Sequence, residues 1–159
     1  MLGADQNGDM LTSRLLDYLD AHEHSYADDD WTRLEPFFTE GAVHEVSGGQ
    51  PLGGRWVGRP ALIGRLRERA ETFDRLFDNR AISPRGVPIE MGQTVSLPWR
   101  GIYGINRAPA DVLNIEGILV ASFAGDAIEF LRDQLRPGTH RAIQRYLLRH
   151  GLDPRFEES

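Results

Sequence analysis

The carboxyl group of Asp133 is the first candidate for chemistry, because the sequence around it places it on an apolar face. The segment alternates in the manner of a β-strand, so Asp133 shares a face with Leu131 and Leu135. A carboxyl group among apolar side chains has a raised pKa and can exchange protons near neutral pH. The competing interpretation is a plain ion pair with Arg132 or Arg136 at the end of a sheet.

An imidazole and a guanidinium could share this site. His44 alternates with Ala42 and Val46, and if that face is concave, its ring could donate a hydrogen bond to Asp133 and fix its orientation. Arg100 could hold a carboxylate or an enolate oxygen of a ligand in fork geometry. The plainer alternatives are a satisfied, half-buried histidine and a surface salt bridge.

The spacing of the remaining polar residues does not indicate a metal or nucleotide site. His22 and His24 lie two apart in a predicted helix and point in different directions, so they cannot share a metal. The three aspartates 28–30 suit a helix cap better than a metal site. The chain has no cysteine, and neither Gly48-Gly49 nor Gly53-Gly54 has the context of a phosphate-binding loop. We therefore expect neither a metal nor a cofactor.

Composition and charge restrict the partners and the compartment. The 159 residues carry 24 acidic and 18 basic side chains, for a net charge of -6, and a surface of that sign repels nucleic acids. No window approaches 18 consecutive apolar residues, and the N-terminus lacks the basic start and apolar core of a signal peptide. We expect a cytoplasmic protein that binds neither nucleic acid nor membrane.

The elements that would position the candidate residues are helices first and strands later. Helical spacing predicts helices over about Met10–Ala27, over Trp31 to about Phe38, and from Pro60 onwards. Period-two segments predict strands, and these are Ala42–Val46, Arg80–Ser83, Gln93–Ile105, Asp111–Phe123 and Ala127–Leu135. The pattern ends with a helix, His140 to Arg149, and we expect one domain over 10–150 between tails at 1–9 and 151–159. Helices that precede a series of antiparallel strands indicate an α+β fold, in which a curved sheet and the helices enclose a ligand cavity.

Three segments resemble domains of the nuclear transport factor 2-like (NTF2-like) superfamily. The stretch 26–46, YADDDWTRLEPFFTEGAVHEV, resembles the usual opening of these domains, and Gly58-Arg59-Pro60-Ala61-Leu62 resembles their next helix start. The stretches 113–120 and 125–133 resemble their final hairpin. This likeness covers about residues 10–136 and implies a cone-shaped half-barrel of the cystatin-like kind. Among the enzymes of this fold, SnoaL-like polyketide cyclases and limonene-epoxide hydrolases look most similar.

The resemblance also assigns roles to individual positions. In the hydrolases, the aspartate of an Arg-Asp pair on the last strand activates water, and Asp133 matches that position. Arg100 matches the arginine of an Arg-x-Asp element, but Ile102 stands where its acid should be. On the first strand, His44 stands at a tyrosine position and Val46 at an asparagine position. These departures disfavour epoxide hydrolysis and leave a cyclase-like site with one aspartate as general acid and base.

We therefore expect a cofactor-independent acid/base enzyme, an isomerase or cyclase before an epoxide hydrolase, that acts on a small hydrophobic molecule. The alternative is a non-catalytic ligand-binding or dimerisation module of the same fold. The expected pocket lining is apolar and aromatic: Tyr26, Trp31, Val46, Phe73, Ile102, Leu113, Ile115 and Leu131. If Arg100 points into the pocket, the alternation of side chains along the strands places four apolar side chains on the outer face of the sheet. These are Trp99, Tyr103, Ile118 and Val120, and we expect a homodimer to cover them.

Overall fold

Three α-helices, two short 3-10 helices and seven strands form within residues 2–152, the part of the backbone described by this computed structural model; side chains are described from Met10 to Leu152. The α-helices are α1 (Leu2–Asp28), α2 (Arg59–Thr72) and α3 (Thr139–His150), and the 3-10 helices are Trp31–Phe37 and Asp74–Leu76. The strands are β1 (Phe38–Val46), β2 (Gly54–Val57), β3 (Asn79–Pro84), β4 (Ile89–Met91), β5 (Thr94–Gly104), β6 (Leu113–Ala124) and β7 (Ala127–Leu135).

The element order follows the sequence pattern, and the differences are local. α1 begins at Leu2, inside the segment 1–9 that was expected to be a tail. Strands β2 and β4 are short and had no period-two signal of their own. Of the expected tail 151–159, only Gly151 and Leu152 lie within the described residues.

The strands form one mixed sheet in the order β2-β1-β7-β6-β5-β3, with β4 also paired to β5. Pairing is antiparallel except between β1 and β7, which run parallel. The sheet is therefore curved and largely antiparallel, as expected, but its first and last strands meet side by side in one direction. This pairing sets His44 opposite Leu131 and Val46 opposite Asp133.

The inner face of β5 is set by a regular alternation that continues through Pro98. Val95, Leu97, Trp99 and Tyr103 are buried, whereas Arg100 is exposed. The expected parity was therefore wrong, since it placed the guanidinium inside and the two aromatic rings outside. Burying large aromatic rings beneath the helices and leaving a guanidinium in water is the arrangement that costs least free energy.

The helices pack against different parts of the sheet. α1 and α2 pack on the inner face and bury Leu15, Tyr18 and Leu62, while α3 contacts β6. α3 is held by the Tyr146 hydroxyl, which donates to the backbone carbonyl oxygen of Asp111 at 2.9 Å. No helix within residues 2–152 is long and apolar enough to cross a membrane.

The outer face supports only part of the expected dimer surface. Ile118 (44% exposed) and the half-buried Val120 lie there, but Trp99 and Tyr103 do not. The homodimer thus stays a prediction.

We expect light scattering to give about twice the chain mass of 17.9 kDa. Ile118→Arg should reduce the measured mass to that of the monomer, because a guanidinium cannot be buried in the interface unpaired. Val87→Arg, at an exposed turn, is the control, and a monomeric wild type would remove the prediction.

Candidate functional site

A cavity of about 330 Å³ lies between the inner face of the sheet and helices α1 and α2. Five buried titratable side chains line it, namely His44, Asp74, Asp133, Tyr18 and Tyr103. A larger open groove of about 910 Å³ lies beside α3, but none of the described residues lining it is both titratable and buried. The inner cavity has the size of a small-molecule site, and we take it as the candidate site.

Asp133 is held inside this cavity by contacts from two other elements. Its Oδ1 accepts a hydrogen bond of 2.8 Å from the indole Nε1 of Trp99 on β5. Its Oδ2 lies 3.6 Å from Nη1 of Arg69 on α2. Burial raises the pKa of Asp133, and the Arg69 charge and the indole hydrogen bond offset only part of that increase. The carboxyl group is therefore both fixed in place and a stronger base than an exposed aspartate.

The bond between Trp99 and Asp133 spans the intervening strand β6, and Gly117 makes this possible. Gly117 pairs directly with Trp99 in the sheet. A Cβ at Gly117 would lie 3.0 Å from the backbone carbonyl oxygen of Gln134, 3.0 Å from Trp99 Nε1 and 3.1 Å from Asp133 Oδ1. A side chain at this position would therefore intrude into the hydrogen bond itself, and the glycine keeps that space open.

His44 lies in the same cavity but does not contact Asp133 as expected. Its Nδ1 is 3.0 Å from the backbone carbonyl oxygen of Leu131, and its ring stacks on Trp56 with centroids 5.7 Å apart. A carbonyl only accepts, so Nδ1 carries the proton and Nε2 is left as an acceptor. Burial lowers the pKa of His44 to about 4, so the ring is neutral at pH 7. Trp99, rather than His44, orients the aspartate.

A second group of charges lies in the cavity beside Arg69. Asp74 Oδ2 accepts from Arg80 Nε at 3.1 Å, and the two terminal nitrogens of Arg80 bind Glu23 at 2.8 and 2.9 Å. Burial acts to raise the pKa of Glu23, but hydrogen bonds from His22 and Arg80 hold it at about 2. Arg80 thus joins α1, β3 and the 3-10 helix Asp74–Leu76 at one point.

The other expected site residues mostly lie outside the cavity. Leu131 is on its wall. Arg100 and Ile102 are on the outer face of β5, so the expected ligand contacts of both were wrong. The remaining predicted lining residues pack in or against the hydrophobic core and are not part of the wall: Tyr26, Trp31, Val46, Phe73, Leu113 and Ile115.

Several cavity residues were missed although the sequence carries a signal for some of them. Arg69 follows Leu62 by seven positions and Leu66 by three, which places it on the apolar face of α2. Tyr18 follows Leu11 and Leu15 in the same way on α1. Asp74 has no such signal, because its position after α2 depends on where that helix ends. Across residues 10–152, no group of three or more His, Asp or Glu side chains is placed to hold a metal ion.

Comparison with known proteins identifies the fold. No family model matches the chain, and no curated protein matches it in sequence. Among solved structures, an NTF2-like protein from Burkholderia xenovorans LB400 is 15% identical, with a TM-score of 0.56 over 84% of this chain and 95% of that one. TerC, co-crystallised with polyporic acid, is 14% identical, with a TM-score of 0.61 over 82% of this chain and 98% of that one.

A third solved structure is a Catenulispora acidiphila DSM 44928 protein with a ketosteroid isomerase-like fold, in complex with trimethylamine. It is 14% identical, with a TM-score of 0.58 over 88% of this chain and 96% of that one. At these identities the likeness concerns the fold alone. The chain has the α+β fold of NTF2-like and ketosteroid isomerase-like proteins, which confirms the expected architecture.

Gly117→Ala tests the close packing around the hydrogen bond across β6. The added methyl group crowds the indole, the carboxylate and the backbone carbonyl oxygen of Gln134, so we expect a loss of roughly 1–3 kcal/mol in the free energy of unfolding, measured with urea. Gly64→Ala is the matched control, because nothing lies within 4 Å of that position on α2 and alanine favours a helix by about 1 kcal/mol. Equal stability of Gly117→Ala and wild type would contradict the assignment.

The buried, neutral His44 predicts a pH dependence of stability. Its pKa is lowered from 6.5 to about 4, so between these values the unfolded chain takes up a proton that the native ring does not. Stability falls as pH decreases through this window, by about 3 kcal/mol in all. His44→Asn keeps a donor for Leu131 and should flatten this slope in urea titrations from pH 7 to 4. His24→Asn, on an exposed ring, is the control, and an unchanged slope in His44→Asn would refute the prediction.

Proposed function

We propose that this protein is a cofactor-independent acid/base enzyme that acts on a small, largely apolar molecule, with Asp133 as its base. Isomerisation or cyclisation by proton transfer is the reaction type that we favour over epoxide hydrolysis. The cavity supports this choice through its size and its leucine-rich wall, and through Asp133, whose buried carboxyl group has two fixed contacts.

The position of Asp133, a buried carboxyl group on the wall of the cavity, is the observation that carries the proposal, and the direction of its pKa agrees with it. A carboxylate kept only for a structural ion pair has a lowered pKa, because its partner stabilises the charged form. The pKa of Asp133 is instead raised, despite Arg69 and Trp99. A base with a pKa nearer to neutral gains in proton-transfer efficiency, and perturbed groups of this kind cluster at functional sites.

The residues around Asp133 suit proton transfer next to a carbonyl group. Asp133 removes a proton from the carbon beside the carbonyl, and negative charge then develops on the ligand oxygen. Arg69 remains a cation at 3.6 Å from Asp133, so its field stabilises that charge in a low-dielectric cavity. The protonated Asp133 returns the proton at another carbon, which completes an isomerisation. His44 presents Nε2 as an acceptor and cannot serve as an acid at pH 7.

Arg100 and Ile102 weaken the case for epoxide hydrolysis. The element of the hydrolases that they match supplies an acid, but here the two side chains lie on the outer face of β5. The ketosteroid isomerase-like fold of one structural neighbour is compatible with the favoured reaction type. Its likeness supports the fold as a setting for such chemistry and carries no residue assignment.

The alternative function is a ligand-binding module without catalysis. It is favoured by the contacts of Asp133, since both carboxylate oxygens already have partners. The two functions share the cavity and differ in turnover, so a measurement of proton exchange separates them.

Asp133→Asn tests the proposal with 2-tetralone, a bicyclic ketone with acidic protons beside its carbonyl group. We expect the wild type to accelerate exchange of these protons in D₂O, measured by NMR above the uncatalysed rate. The variant removes the base but keeps the volume, so the acceleration should fall by about a hundredfold or more. Glu129→Gln, an exposed carboxylate on the same strand, is the matched control. Binding of 2-tetralone without any acceleration by the wild type would favour the binding module.

A further inference from the structure

Two buried oxygens of the cavity residues have no hydrogen-bond partner among residues 10–152. They are Oδ1 of Asp74 and the hydroxyl of Tyr103, and the two residues are 3% and 0% exposed. Burial and the Asp74 charge raise the pKa of Tyr103, and Arg69, which lies beside the hydroxyl, offsets part of this rise without making a well-aligned hydrogen bond to it. Buried polar atoms in native proteins are nearly always paired. These two oxygens therefore indicate a place where a polar group binds.

The surrounding contacts fix both residues at one end of β5. Tyr103 packs against Phe73, with ring centroids 5.6 Å apart, and Asp74 is the next residue in the chain. Oδ2 of Asp74 is held by Arg80 at 3.1 Å, so Oδ1 is the oxygen left to accept from another group. The Tyr103 hydroxyl makes no well-aligned hydrogen bond within the described residues, and it can both donate and accept.

The chemistry of the two oxygens selects the group that would bind them. Asp74 can only accept a hydrogen bond, so the bound group must donate, and an anionic group would also be repelled. An ammonium group could donate, but Arg69 and Arg80 already place two positive charges beside Tyr103. A neutral hydroxyl avoids both repulsions, since it donates to Asp74 and accepts from Tyr103.

We propose that the cavity takes a hydroxylated molecule, whose alcohol or phenol group is bound between Asp74 and Tyr103. This inference rests on the proposed function, because it names the substrate class of the same site. Tyr103 follows Trp99 by four residues on the same face of β5, and Arg69 lies beside both Asp133 and Tyr103. The hydroxyl and the carbon that reacts at Asp133 are therefore separate positions that one small bicyclic skeleton can carry.

The test compares 2-tetralone with 6-hydroxy-2-tetralone, which adds one phenol at the end of the molecule away from the ketone. By calorimetry we expect the phenol to bind wild type about tenfold more tightly. Tyr103→Phe and Asp74→Asn should each reduce this advantage to about twofold or less, since the affinities of the two probes are compared within each variant. Tyr103→Phe should also be at least as stable as wild type, because the hydroxyl that it removes has no partner in the free protein.

Tyr146→Phe is the matched control, since its hydroxyl is already bonded to Asp111 outside the cavity. That variant should lose stability and keep the wild-type preference for the phenol. Equal binding of the two probes by wild type, binding of neither, or a phenol preference that survives in Tyr103→Phe would overturn the inference. The preference concerns affinity alone, so its presence without proton exchange would refute the proposed enzyme and leave the hydroxyl site standing.

Discussion

The apolar inner face of the sheet has to be covered, and α1 and α2 cover it incompletely. A strand face that carries Leu97, Trp99, Leu119 and Leu131 would be unstable in water. The helices bury most of it and leave about 330 Å³ unfilled between them and the strands. The other features of the site follow from this arrangement, because any polar group on that face is removed from water and must find its partners within the cavity.

Those partners are arranged so that few charges in the cavity stand alone. Asp133 faces Arg69, and Arg80 bridges Asp74 and Glu23. Such pairing reduces the cost of buried charge. Two features differ from this pairing, and the fold does not need them for its own stability. They are the raised pKa of Asp133 and the two buried oxygens without a hydrogen-bond partner, Oδ1 of Asp74 and the hydroxyl of Tyr103.

The sequence predicted the architecture well and the site only in part. Hydrophobic periodicity located α2, β5, β6, β7 and α3, because burial of one face dictates their patterns. The same alternation, read from Val95 to Tyr103, also gives the inner face of β5, but the likeness to an Arg-x-Asp element favoured the opposite parity. His44 and Asp133 were placed in one cavity correctly. Their direct contact was not, since the parallel register of β1 and β7 sets His44 beside Leu131. Asp74 and Tyr103 depend on tertiary contacts that no local pattern encodes.

The glycine at position 117 makes three neighbouring strands depend on one another. Trp99, Gly117 and Asp133 lie on β5, β6 and β7, and the middle residue contributes only the space through which the outer two meet. A side chain at 117 would crowd the indole and the carboxylate, and it would also crowd the backbone carbonyl oxygen of Gln134, which no substitution at Trp99 or Asp133 removes. The glycine is therefore required by the backbone of β7 as well as by the bond. Replacing Trp99 or Asp133 removes the bond that holds the aspartate and leaves the requirement at 117 in place, so the two partners of the bond are freer to change than the residue between them.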